Sequence, residues 1–160
     1  MNVEMEEALA DVHPRLLPLR EAGNIVCGNA LRIDWTTVLN AKADDEVYIF
    51  GNPPYIGSKK MTLEQKKELE NVICSEISSK KLDYISGWFY KATHLIYGKN
   101  AQYAFVTTNS INQGEQVSIL WSVLLQYGQI SFAYQSFKWN NSAAHNAGVT
   151  VTIIGFSNKN

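Results

Sequence analysis

The chain holds 160 residues, 46% of them hydrophobic, the length of one domain with enough apolar surface for a core. A net charge of −1 and a pI near 6.3 argue against a self-sufficient nucleic-acid-binding module, which shows a clearly basic face. No uncharged apolar run approaches the roughly 18 residues of a membrane span, and the acidic opening MNVEMEEALADV lacks the basic and apolar parts of a signal peptide, so a cytoplasmic protein without a membrane partner is expected.

In chain order, residues 1–23 read as a polar, helical segment and a connector containing Pro14 and Pro18. Residues 24–160 read as the structured portion. Asn24 to Cys27 is a short apolar run ended by Gly28, and the following ALRIDW either continues it or turns from it. Val47 to Phe50 has the composition of a short buried strand. Thr62 and Gln65 stand at capping-box spacing, and Leu69, Val72, Ile73 and Ile77 recur on one face, which predicts a helix over 62–77. A second helix is expected from Asp83, as its N-cap, to just before Gly98, with a broad apolar face that includes Trp88, Phe89 and Ala92. Asp34 is likewise assigned to ending or capping an element. Tyr103 to Thr107 reads as a strand, Val117 to Leu125 as a helix with Leu120, Trp121 and Leu124 inward, and Gly128 as its stop. Ile130 to Gln135 and Val149 to Phe156 read as strands joined by the loop SFKWNNSAAHNAG. The alternation predicts an α/β fold, its sheet mainly parallel with a C-terminal antiparallel hairpin. Cys27 and Cys74 are isolated and are expected to be buried reduced thiols. His13, His94 and His145 are scattered, and no metal is assigned.

The stretch YIFGNPPYIGSKK carries the sharpest signal. Pro53 and Pro54 cannot donate backbone hydrogen bonds, and Pro53 restricts Asn52 to an extended conformation, so the strand must end there. Ligands of open α/β sheets lie at the carboxyl ends of strands. The double proline would then hold the Asn52 carboxamide and the Tyr55 ring in one geometry at low entropic cost, a clamp for a flat group. Lys59, Lys60, Lys66 and Lys67 follow directly, either as a solvated helix face or as phosphate contacts beside the crevice. No G-x-G-x-x-G turn is found.

Asn-Pro-Pro-Tyr at a strand end resembles the catalytic motif of S-adenosylmethionine-dependent adenine-N6 DNA methyltransferases; by accident the tetrapeptide would occur roughly once in 2,000 chains of this length. CGNALRIDW resembles the motif that contacts the cofactor adenine, with Asn29 where relatives often have aspartate. AFVTTNSI resembles the fifth strand and its turn, and SFKWNNSAAHNAGVTVTIIGF the terminal hairpin. With KLDYISGWFYKA and NSINQGEQVSILW included, the match is nearest to single-chain bacterial restriction-modification enzymes and covers most of residues 24–157.

The resemblance implies a Rossmann-like class I methyltransferase fold, in part, with S-adenosylmethionine as cofactor and double-stranded DNA presenting a flipped adenine as substrate. It implies that Asn52 and the Pro53 carbonyl accept hydrogen bonds from the adenine amino group, with Pro54 stiffening the motif. Tyr55 would stack on one face of the extruded base and Phe137, or Trp139 in its place, on the other. Asn29 and Asn52 are the implied cofactor contacts, and Lys59 and Lys60 the implied DNA-backbone contacts. Asn29 after Gly28 is also a common turn pair. Carbon-5 cytosine methylation would need a nucleophilic cysteine, usually after a proline, and neither Cys27 nor Cys74 follows one.

Relatives place a glycine-rich motif and an acidic ribose contact before the segment matched here, and a target-recognition domain after it. The chain therefore reads as an internal piece of a larger enzyme or a truncated gene product, inactive alone, with the catalytic residues present but most of the cofactor pocket missing, and with the remainder of that enzyme, including its target-recognition and endonuclease domains, as partner. Other readings are methylation of a release-factor glutamine or an RNA base, and a non-catalytic remnant that dimerises through an exposed sheet edge.

Overall fold

The computed structural model describes residues 25–39, 41–42, 44–74, 76–139 and 149–159. The expected 1–23 segment, Asn24, His145 and all of the loop between Trp139 and Val149 lie outside them, as does His13. Described elements, in order, are a one-turn helix α1 (Trp35–Val38), strand β1 (Val47–Gly51), helices α2 (Leu63–Ile73) and α3 (Ser86–Ile96), strand β2 (Ala101–Thr108), helix α4 (Glu115–Tyr127), and strands β3 (Gln129–Trp139) and β4 (Val149–Ser157). They form a mixed α/β fold around one four-stranded sheet of order β1-β2-β4-β3.

β1 pairs parallel to β2, whereas β4 pairs antiparallel with both β2 and β3. The expected C-terminal hairpin is present. Parallel pairing is confined to β1 and β2 among the described strands, where the sequence suggested a mainly parallel sheet, because β4 inserts between β2 and β3.

Local signals explain most element ends. Thr62 Oγ1 accepts from the Gln65 amide at 3.2 Å and Gln65 Oε1 accepts from the Thr62 amide at 2.9 Å, the reciprocal capping box of α2. Asp34 caps α1 by accepting from the Thr36 amide at 2.9 Å. Gly128 ends α4, whose Leu120, Trp121 and Leu124 are buried as the apolar spacing requires. α3, however, begins at Ser86, and the Asp83 side chain does not cap it. Its carboxylate turns to other elements, described below.

Both cysteines depart from expectation: they are free thiols but exposed, not buried. Cys74 closes α2 in the left-handed region, φ 50°, and a helix terminus turned to solvent overrides the residue's apolar preference. Cys27 lies in the open segment ahead of the 30–33 turn.

The core lies between α3, α4 and one face of the sheet. Phe89 of α3 stands edge-on to Tyr103, Phe105 and Trp121, with centroids 5.8, 5.3 and 5.7 Å away. Tyr103 also stacks on Phe156 of β4. Ladder partners carry the opposite face, where Phe50 is largely exposed and Phe132 partly so. There the Phe132 ring lies directly over Gly155, where any Cβ would fall 2.2 Å from it. No helix among the described residues is long and apolar enough to cross a membrane.

Candidate active site

The tetrapeptide emerges where β1 ends. Gly51 is the last residue paired with β2, after which Asn52 and Pro54 are exposed, Pro53 is buried and Tyr55 is half-buried. Tyr55 packs against the core, and its hydroxyl donates to Asn52 Oδ1. Three contacts then fix the outgoing chain: Tyr84 N donates to Ile56 O at 2.9 Å, Ser58 N to an Asp83 carboxylate oxygen at 2.9 Å, and Lys60 N to Gly57 O at 2.8 Å.

Beside the tetrapeptide opens a cavity of about 650 Å³, lined by Asn52, Pro53 and Pro54 on one side, by Asn29, Ala30 and Trp35 on another, and by Tyr84, Trp88 and Phe105 at its base. Sequence reasoning placed Asn29 and Asn52 at one site, and the structure brings both to this cavity. Tyr84 and Trp88, which meet edge-on with centroids 5.2 Å apart, were not singled out as site residues. Trp88 carried only the signal of an inward helix position, and nothing in local sequence tells a cavity wall from a core wall.

The wall formed by residues 29–33 is held by polar contacts rather than by regular structure. Asn29 Oδ1 accepts from the Leu31 amide at 2.9 Å, the local turn expected of this residue type, and its Nδ2 donates to Glu68 at 3.1 Å. Lys91 of α3 donates to Ala30 O at 2.9 Å, to Leu31 O at 3.1 Å and to Ile33 O. It also lies 5.3 Å from the centre of the Trp35 ring, whose Nε1 donates to Ala30 O at 2.7 Å. Burial lowers the Lys91 pKa below the ordinary lysine value.

Glu68 of α2 gathers donors from Tyr84, Arg32 and Asn29. The Tyr84 hydroxyl, then Arg32, hold its carboxyl below the ordinary range despite partial burial. Tyr84 moves the other way, to about 12, through burial first and the Glu68 hydrogen bond second. It therefore stays protonated at neutral pH.

The remaining expected residues divide. Thr108 at the end of β2 faces Val151, and Val151 faces Phe137, so Phe137 stands on the same sheet rim as the tetrapeptide, on the far strand of the sheet. Trp139 ends β3 opposite Val149, and its side chain lies outside the described residues. Lys59 and Lys60 are exposed. Lys59 borders a separate open groove of about 740 Å³ with Lys66, Lys80 and Lys81, which Lys60 does not join. Lys81 pairs with Glu115. Among the described residues, no three His, Cys, Asp or Glu side chains are grouped to hold a metal ion.

Comparison with known proteins identifies the family of the chain. Residues 1–160 match the family model of the MmeI DNA-methyltransferase domain. The chain is 50% identical over 157 residues to DNA methyltransferase A of Bacillus subtilis (strain 168), a match covering 98% of this chain and 18% of that protein. A solved structure of the Type IIL restriction-modification enzyme MmeI in complex with DNA superposes with a TM-score of 0.81 at 41% identity, covering 99% of this chain and 21% of that one. The chain thus spans about a fifth of the length of these relatives. With a family model matched along all 160 residues and half of its positions identical to a curated relative, the chain belongs to the MmeI DNA-methyltransferase domain family.

Proposed function

We propose that this chain supplies the catalytic clamp of an S-adenosylmethionine-dependent methyltransferase acting on the N6 amino group of adenine in DNA, within a restriction-modification enzyme of the bacterial cytoplasm. The observation that carries the reading is the exposed Asn52 carboxamide at the rim of the 650 Å³ cavity, over the buried Pro53 and beside the Tyr55 ring. An adenine amino group is a poor nucleophile because its lone pair is delocalised into the ring. Asn52 Oδ1 and the Pro53 carbonyl are acceptors at adjoining positions, and two hydrogen bonds from N6 favour a pyramidal nitrogen whose lone pair is free to attack. Placement and preorganised dipoles then do what acid or base strength would do elsewhere. Tyr55, with Phe137 or Trp139 opposite, compensates part of the few kcal/mol spent on unstacking the base.

The cavity fits the cofactor in size, within the roughly 300–1,000 Å³ of small-molecule sites. In chemistry it offers the Tyr84 and Trp88 rings for a nucleobase and the Asn29 and Asn52 carboxamides for polar edges. Bound there, S-adenosylmethionine would supply a methyl group on a sulfonium whose departure leaves a neutral thioether; the amino nitrogen gains the methyl and releases a proton to water. The Asn29–Ile33 wall, pinned by Lys91 and Glu68, keeps the pocket's shape. Phosphates flanking the target base would meet Lys59 and Lys60. Because the relatives are about five times longer, the 160-residue chain alone is expected to bind the cofactor weakly and to leave DNA unmethylated.

The test is a chimaera in which this chain replaces the matching segment of the Bacillus subtilis relative. Nucleosides from DNA treated with it and S-adenosylmethionine should contain N6-methyladenine. Methylated cytosine alone, or methyl transfer to protein or RNA with none to DNA, would overturn the reading.

A further inference from the structure

Outside the cavity lies a carboxylate that the proposed chemistry does not use. Asp83 is 7% exposed and stands between β1's outgoing chain, the start of α3, and the turn that joins β2 to α4. One carboxylate oxygen accepts from the Ser58 amide at 2.9 Å. The other accepts from Ser110 Oγ at 2.6 Å and from Gln116 Nε2 at 3.1 Å. Gln116, itself buried, closes the network: its Oε1 accepts from the Asp83 amide at 3.2 Å, and its Nε2 also donates to Ser110 O at 2.6 Å. Next in sequence, the Tyr84 amide donates to Ile56 O.

A buried carboxylate bonded by neutral donors costs desolvation that a single hydrogen bond does not recover, and three well-placed donors do. All three come from other elements, so the network specifies the relative position of those elements rather than stabilising α3 locally. We propose that Asp83 is the positioning residue of the clamp: it latches the Ile56–Ser58 segment to the turn after β2 and the start of α4, and thereby fixes where Asn52 and Tyr55 stand. This rests on the methyl-transfer reading for its catalytic consequence, though not for the latch itself. Misplacement by about an ångström costs on the order of a hundredfold in rate, so a loosened latch slows chemistry while binding persists.

The test has two arms. In the 160-residue chain, Asp83→Asn turns a donor toward Gln116 Nε2, and amide exchange at Ser58 should quicken about tenfold relative to Val106 of β2. In the chimaera the same change should slow single-turnover methyl transfer about tenfold or more, with the dissociation constants of cofactor and DNA unaltered. Ser110→Ala removes one donor without a large void, so it reports the latch at smaller amplitude if Asp83→Asn does not fold. Ile96→Val, which weakens the core elsewhere, must leave the ratio of Ser58 to Val106 exchange as in the unsubstituted chain. Equal loosening by Ile96→Val, or unaltered Ser58 exchange in Asp83→Asn, overturns the proposal. A chimaera that transfers no methyl group at all counts against the methyltransferase reading, and the exchange arm still decides the latch.

Discussion

The Tyr55 hydroxyl donates its hydrogen to the Oδ1 atom of Asn52, so the ring and the carboxamide of the clamp hold each other across the double proline. In the proposed reaction that oxygen must also accept from the target amine, and a carbonyl oxygen has two lone pairs to offer. The hydroxyl orients the amide, whereas the ring contributes the stacking surface. Tyr55→Phe should therefore lower kcat/KM by no more than about fivefold, and Tyr55→Ala by the loss of a base–aromatic stack, about 1–3 kcal/mol or up to about a hundredfold. Steady-state methylation kinetics on a DNA duplex separates the two; equal losses would mean that the hydroxyl, not the ring, is what matters.

Acid stability should follow the carboxylates that gather tyrosine hydroxyls. Glu68 lies below its ordinary value through Tyr84 first, and Glu76 through Tyr90 and then Tyr127. Lowered folded values mean that their contribution is fully present above the ordinary value of 4.5 and is lost as pH falls through the folded values. Urea midpoints taken from about pH 6 down to about pH 3 should fall with acid. Glu68→Gln should start lower and fall less steeply.

Packing over the open sheet face gives a separate check. Gly155 lies beneath the Phe132 ring, and an added Cβ would meet Cε1 at 2.2 Å. Gly155→Ala must push that ring outward, at a cost of about 1–3 kcal/mol. A lower denaturant midpoint with an unchanged m-value is the expected result.

The proposed phosphate contacts can be tested at the lysine groove. Lys59, Lys66 and Lys80 border one open surface near the clamp, whereas Lys81 is already paired with Glu115. If phosphates run there, each of the first three changed to Ala should reduce the slope of log K against log salt by about 0.9. Lys81→Ala should change it less. DNA binding by the chimaera, measured across a salt series, reads this directly.

The parts of the molecule legible in sequence were those set by neighbours along the chain. Pro53 and Pro54 had to end β1, and the Thr62–Gln65 pair had to start α2, because both effects act within a few residues. Asp83 was misread as a helix cap for the complementary reason: its donors, Ser58, Ser110 and Gln116, lie 25, 27 and 33 residues away, and no local pattern announces them. Cys74 was misplaced because burial was inferred from residue type, whereas its position at the end of α2 decides its exposure. Asn29 shows both limits at once. Its turn was readable from the Gly28–Asn29 pair, but the Glu68 contact across 39 residues was not.

The central claim is that the Asn52 carboxamide shapes the nucleophile. Asn52→Ala in the chimaera, assayed by transfer of a tritiated methyl group to duplex DNA, should cost about 10²–10³ in kcat, the usual loss for one preorganised hydrogen-bonding group, with cofactor binding within about threefold of the unsubstituted enzyme. Methyl transfer by that variant at close to the unsubstituted rate would contradict the account.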